Sequence, residues 1–221
     1  LSNNDDYTRM NRVFEYIDGL SVNSYFAPRV GPEGAELNWS RLVDWPLAGL
    51  QMFFEQFFER YEAAAWTASV YPAFFLFVLI AVCCWYVRPF TGKALSAVAI
   101  IAVLINLTVL RQFLPGRVDH HMLQVLLVLG AFGCLARVYL MPDKHILPII
   151  AGICFAFGLA IGADAVLWLA LASAFIGIFW LLDGSHFERP AFYFGASAFI
   201  GTFFLYLVIP PYDRFWEPIC E

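Results

Sequence analysis

The spacing of apolar residues changes character near Trp66. Before it, apolar positions recur at helical intervals in a polar, acid-rich background. Met10, Val13, Phe14 and Ile17 fall at i, i+3, i+4 and i+7, which predicts an amphipathic helix ending near Gly19. Pro28, Gly31, Pro32 and Gly34 mark Phe26 to Asn38 as a loop. A second amphipathic helix is predicted from Leu42 to Glu62, with Phe53, Phe54, Phe57, Phe58 and Tyr61 on one side and Glu55, Glu59 and Glu62 on the other. Its polar face is acidic, so apolar burial rather than attraction to anionic lipid would hold it at a membrane interface.

After Trp66, six apolar runs follow one another with short polar breaks: Trp66 to Val87, Ala94 to Leu110, Met122 to Leu140, Ile146 to Ile161, Ala165 to Leu182 and Ala191 to Ile209. A helix needs about 20 apolar residues to cross a bilayer, whereas transmembrane strands are shorter and alternate strictly. The pattern predicts an all-α polytopic membrane protein of about six transmembrane helices. Residues 1–65 form an external region with interfacial helices, and residues 66–221 form the helical bundle. Gly130, Gly133, Gly152, Gly158, Gly195 and Gly201 are expected to let helices approach closely.

Composition agrees: 61% hydrophobic and only 14% charged residues is more apolar surface than a water-soluble chain of 221 residues can bury. A net charge of -5, with Lys and Arg dispersed, provides no basic patch, so no nucleic-acid partner is expected. Cys83, Cys84, Cys134 and Cys154 lie inside apolar runs and read as small hydrophobes rather than a disulfide or zinc framework. The first residue is Leu1 and the opening segment is not a signal peptide, so a chain trimmed at one or both ends is expected.

Basic residues favour cytoplasmic loops. Arg88 and Lys93, Lys144, and Arg189 fall in breaks that share one side of the predicted topology, with Arg111 and Arg117 opposing the trend. The N-terminal region, the 111–121 loop, the turn at Gly162 to Asp164 and the C-terminal tail are then external.

Two polar clusters fall on that external side. One is Asn3-Asn4-Asp5-Asp6-Tyr7, and the other is the segment Gly116 to Gln124, which brings Asp119, His120 and His121 to the mouth of a span. Charged groups there are costly without a role. Asp119 and His121, two apart in a turn entering a helix, can face one ion, and Asp5 can supply a third ligand. Carboxylates with one imidazole suit Mg²⁺ or Mn²⁺. Arg111 and Arg117 nearby make a phosphate site plausible. The competing reading makes Asp5 or Asp6 a first-turn acid of the helix through Met10, and Asp119 and Asp164 caps of the spans that follow them.

At these residues the sequence resembles the GT-C class of membrane glycosyltransferases, particularly oligosaccharyltransferase catalytic subunits and bacterial enzymes grouped with protein mannosyltransferases. Ser2 to Tyr7 is similar to the start of that class's first external loop, with Asp5 at the position of its essential acid. Asp119-His120-His121 matches the Asp-X-His form of its second-loop metal motif. The segment Pro32 to Leu50, with Trp39-Ser40-Arg41-Leu42, is similar to first-loop sequences of bacterial members.

The resemblance implies transfer of a sugar from a polyprenyl-phosphate-linked donor, on the periplasmic side of a bacterial inner membrane, assisted by a divalent metal. Asp5, Asp119 and His121 would hold the ion. Asp5, Asp6 and Asp119 would be catalytic, and His120, Arg41, Arg111 and Arg117 would contact substrate. Whether Asp5 orients the acceptor, binds the ion or acts as base stays open. The resemblance also implies a transmembrane helix before Leu1 and a longer C-terminal part. A non-catalytic membrane subunit bound to partner proteins is the alternative. A transporter is disfavoured, because the spans carry almost no charge.

Overall fold

Asn3 starts the first helix, α1 (Asn4–Ile17): its side chain accepts from the Asp6 N–H while the Asp6 carboxylate accepts from the Asn3 N–H. This reciprocal pair satisfies two donors that a helix start leaves open. The computed structural model describes residues 1–21, 24–29, 31–37 and 39–209. Met10, Val13 and Phe14 are buried, as their spacing predicts, but Arg9 and Arg12 are buried on the same helix. Their charge is met by Asp44, which is fully enclosed. Arg9 Nη1 lies 2.8 Å from Asp44 Oδ1, while Arg41 Nη1 and Arg12 Nε lie 3.1 and 3.6 Å from Oδ2. Arg12 also donates to Trp39 O. The segment between α1 and Asp44 carries a short antiparallel pair, β1 (Phe26–Ala27) and β2 (Ala35–Glu36), and is thus stitched to α1 by side chains.

The helix expected from Leu42 to Glu62 is broken. α2 (Asp44–Phe54) stops, and the chain turns before α3 (Arg60–Ile105). Gln51 makes the corner. Its amide donates to Glu55 Oε1 and Arg60 O, and its oxygen accepts from Thr67 Oγ1, with the Gln51 side chain itself fully buried. The aromatic side divides accordingly: Phe54 and Phe58 stack on Trp66, while Phe53 and Phe57 point outward.

α3 is not one straight helix, because Gly92 adopts a positive φ of 74° that an L side chain strains to reach. Beyond it the helix ends at Asn106, whose side chain caps α4 (Leu107–Leu110), followed by a 3₁₀ turn at Arg111–Phe113. α5 (His121–Leu140), α6 (Ile146–Ile161), α7 (Ala165–Asp183) and α8 (Ser185–Val208) complete the described chain. Among the described residues, four helices are long and apolar enough to cross a membrane: Arg60–Gly92, α5, α7 and α8. α6 is shorter, and the run expected from Ala94 to Leu110 is interrupted at Asn106. Among the described residues, four full-length spans are thus found where about six were expected. The expected C-terminal tail lies outside the described residues.

The chain is a multi-pass membrane protein whose apolar side chains turn outward along these helices, as with Phe77 at 72% and Leu182 at 79% exposure. α6 packs against α5 and α8, where a Cβ on Gly152 would sit 2.6 Å from Phe194 O and one on Gly201 2.8 Å from the Ala156 Cβ. Gly130 and Gly195 face open space. One apolar core joins α1, α2, the start of α3 and α5. A second joins α5 to α8. Val118 and Met122, on either side of Asp119, anchor in the first.

Candidate functional site

The loop before α5 is fixed from both sides. Ahead of it, Gly116 N–H donates to Ala68 O on α3, and Gly116 O accepts from Ser2 N–H. Val118 is fully buried, with its N–H donating to Asp6 Oδ1 at 2.9 Å. Behind it, the start of α5 holds His121. Asp119 thus emerges between a buried residue and a helix start, and is itself only 4% exposed.

The carboxylate of Asp119 is used asymmetrically. Oδ1 accepts from the His120 backbone N–H at 2.7 Å and lies 2.6 Å from His120 Nδ1. Oδ2 lies 3.4 Å from His121 Nε2. The opposite nitrogen of that ring, Nδ1, is 3.4 Å from Gln124 Oε1, an acceptor one helical turn along α5. With Nδ1 carrying the proton toward Gln124, Nε2 presents its lone pair beside Asp119 Oδ2. Burial alone would raise the Asp119 carboxyl, but the His120 hydrogen bonds and the pull of both imidazoles outweigh it, holding the group well below the usual carboxylate range.

Ligand atoms of Asp119, His120 and His121 all lie within 4.8 Å of one another. Two ligands about 2.1 Å from one cation at a right angle are about 3 Å apart, close to the 3.4 Å between Asp119 Oδ2 and His121 Nε2. An oxygen and an imidazole nitrogen so spaced, without thiolate, fit a divalent cation.

Other expected residues fall into distinct places. Asp5 is exposed on the first turn of α1 and lies 3.5 Å from Asn3 Nδ2, outside the Asp119 group. Asp6 is fully buried and saturated with donors. Arg117 donates to Gln112 Oε1 and reaches Asp6. With exposed Arg111, it lines a polar cavity of about 490 Å³ alongside Ser2, Asn3 and Gln112. Arg41 does not line that cavity. It is buried against Asp44, with further bonds to Arg12 O and Ser24 O, so its charge serves the N-terminal fold. His120 holds Asp119, while its Nε2 faces the turn after α6, 3.7 Å from where a Cβ on Gly162 would be. Asp164 is exposed and caps α7 through no side-chain bond. The ends of α1, α5 and α6 thus meet on one face of the bundle, the face on which sequence alone collects the polar clusters. The orienting role of Gln124 is the feature sequence reading missed, although its i+3 spacing from His121 placed it on the same helical face.

No protein-family model matches this sequence, and no curated protein matches it. Its fold has solved counterparts. The oligosaccharyltransferase of Archaeoglobus fulgidus in its apo form superposes with a TM-score of 0.74 at 16% identity over 93% of this chain. The same enzyme in complex with Zn and sulfate gives 0.73 at 16% identity, and archaeal oligosaccharyltransferase AglB from that organism, with an inhibitory peptide and a dolichol-phosphate, gives 0.73 at 15%. This chain spans only 25 to 27% of the length of those chains. Its fold is therefore that of a part, about a quarter, of the archaeal oligosaccharyltransferase chain.

Proposed function

We propose that this protein transfers a sugar from a polyprenyl-phosphate-linked donor to an acceptor at the outer face of a bacterial inner membrane, with Mg²⁺ or Mn²⁺ bound at Asp119 and His121. The observation that carries this reading is the 3.4 Å approach of Asp119 Oδ2 and His121 Nε2 on the loop joined to α1. A bound divalent ion would supply positive charge toward the phosphate that leaves the sugar.

The chain's own residues account for the rest. Asp119, held ionised, presents one oxygen because His120 occupies the other. Gln124 sets the His121 ring so that Nε2 faces the same point. Arg111 and Arg117 offer charge-assisted hydrogen bonds to phosphate oxygens in the polar cavity. An apolar groove of about 450 Å³, lined by Tyr7, Met10, Phe14, Tyr61 and Ala68, adjoins it across Pro115. A polar cavity beside an apolar groove suits an amphiphile with a phosphate head and a hydrocarbon tail. Asp5, the exposed member of the acidic pair, lies outside the Asp119 group and is the carboxylate available to orient the acceptor, take its proton, or reach the ion if the first turn of α1 moves toward it.

The test is to incubate membranes containing the protein with a labelled polyprenyl-linked sugar and follow the label. Asp119→Ala abolishes transfer while the protein still inserts. Unchanged turnover in that variant would refute the assignment and leave a non-catalytic subunit that keeps the fold.

A further inference from the structure

Asp6 is a charged side chain with no exposed surface, at the contact between segments 112 positions apart. Both oxygens are engaged. Oδ1 accepts the Val118 N–H at 2.9 Å, while Oδ2 accepts from Ser2 Oγ at 2.8 Å and from Asn3 N–H at 3.1 Å and lies 3.4 Å from Arg117 Nη1. With both oxygens bonded and no exposed surface, the carboxylate is closed to a substrate, so the residue is not placed to react. Two of its four partners, Arg117 and Val118, are the residues immediately before Asp119.

We infer that Asp6 is a positioning residue that clasps Val118 and Arg117 and thereby holds the loop bearing Asp119 and His121 in the geometry that receives a divalent cation. This rests on the reading of Asp119 and His121 as ligands. The Val118 side chain is locked in the apolar core, and its N–H is locked by Asp6, so the peptide leading into Asp119 has little freedom. At the other end, Asp6 is fixed by the reciprocal cap with Asn3 at the first turn of α1. The clasp therefore ties the turn that carries Asp5 to the loop that carries Asp119. Remove it, and a buried N–H loses its acceptor, Arg117 loses its counter-charge, and the loop relaxes. Ligand groups tolerate displacements of only about 0.5 Å before a site weakens.

The experiment measures Mn²⁺ affinity of the full chain in lipid nanodiscs by loss of the free-ion electron paramagnetic resonance signal. Asp6→Ala weakens binding about tenfold or more, the range seen when a group supporting a metal ligand is lost. Asp6→Asn keeps an oxygen for the Val118 N–H but gives up the charge facing Arg117, and weakens binding several-fold; it carries the test if Asp6→Ala fails to insert. Asp18→Asn loosens the opposite end of α1 and leaves Mn²⁺ affinity unchanged, separating positioning from general destabilisation. Wild-type affinity in Asp6→Ala or Asp6→Asn, with binding lost in Asp119→Ala, would overturn the inference alone. Equal binding by wild type and Asp119→Ala, or none by wild type, would remove the metal reading and the inference together.

Discussion

His120 Nδ1 lies 2.6 Å from Asp119 Oδ1, which commits one carboxylate oxygen to a sequence neighbour and leaves the other facing His121. On the metal site proposed above, the adjacent histidines have different jobs, His120 orienting the carboxylate and His121 ligating the ion. His120→Ala should lower Mn²⁺ affinity about tenfold by freeing the carboxylate, and His121→Ala should lower it further by removing a ligand atom. Isothermal titration checks the order. Equal losses would mean that both rings bind the ion.

Buried Asp44 stands against three buried guanidinium groups, and burial, with Arg41 and Arg9 nearby, pushes Arg12 down to about 10 despite the pull of Asp44. Asp44→Ala leaves these charges without their shared partner and should cost about 3–5 kcal/mol. Denaturant unfolding in detergent measures it. A loss below about 1 kcal/mol would show that backbone carbonyls alone satisfy the arginines.

Asp18 sits at the C-terminal end of α1, bonded to Arg60 and Arg29, and the Arg60 hydrogen bond is the largest influence holding its carboxyl below the usual range. A depressed carboxyl contributes stability above the ordinary carboxylate pKa, about 3.9, and loses it as pH falls through the folded value. Asp18→Asn should therefore melt slightly below wild type at pH 7, with the gap closing in acid. Because the pair is partly exposed, the gap is small. Melting curves against pH decide it, and a gap that widens in acid would contradict the assignment.

Gly152 and Gly130 separate packing from mere presence in a span. A Cβ at Gly152 enters the α8 backbone, whereas one at Gly130 meets nothing within 4 Å. Gly152→Ala should destabilise by about 1–3 kcal/mol, and Gly130→Ala should be neutral or mildly stabilising. Titrated unfolding in mixed micelles compares them.

Much of this architecture was legible in the apolar pattern, because lipid exposure writes long uninterrupted runs and α1 buries Met10, Val13 and Phe14 at helical spacing. What escaped was set by long-range polar contacts. The corner after α2 depends on Gln51 meeting Arg60 O and Thr67, and no local periodicity signals it. Asn106 interrupts the apolar run expected from Ala94 to Leu110 by capping the Val109 N–H, whereas the kink at Gly92 falls in the polar break already visible between Val87 and Ala94. At the site, Asp119-His120-His121 was visible as a cluster, but the different partners of the two rings, and the burial of Asp6 beside exposed Asp5, depend on contacts with Val118 and Gln124 made in three dimensions.

Metal-assisted sugar transfer at Asp119 and His121 is tested by chelation with add-back on membranes given a labelled polyprenyl-linked sugar. Label transfer should stop when divalent ions are stripped, return with Mn²⁺ or Mg²⁺, and never return in Asp119→Ala. Transfer that continues under chelation, or that metal restores equally in that variant, would contradict it.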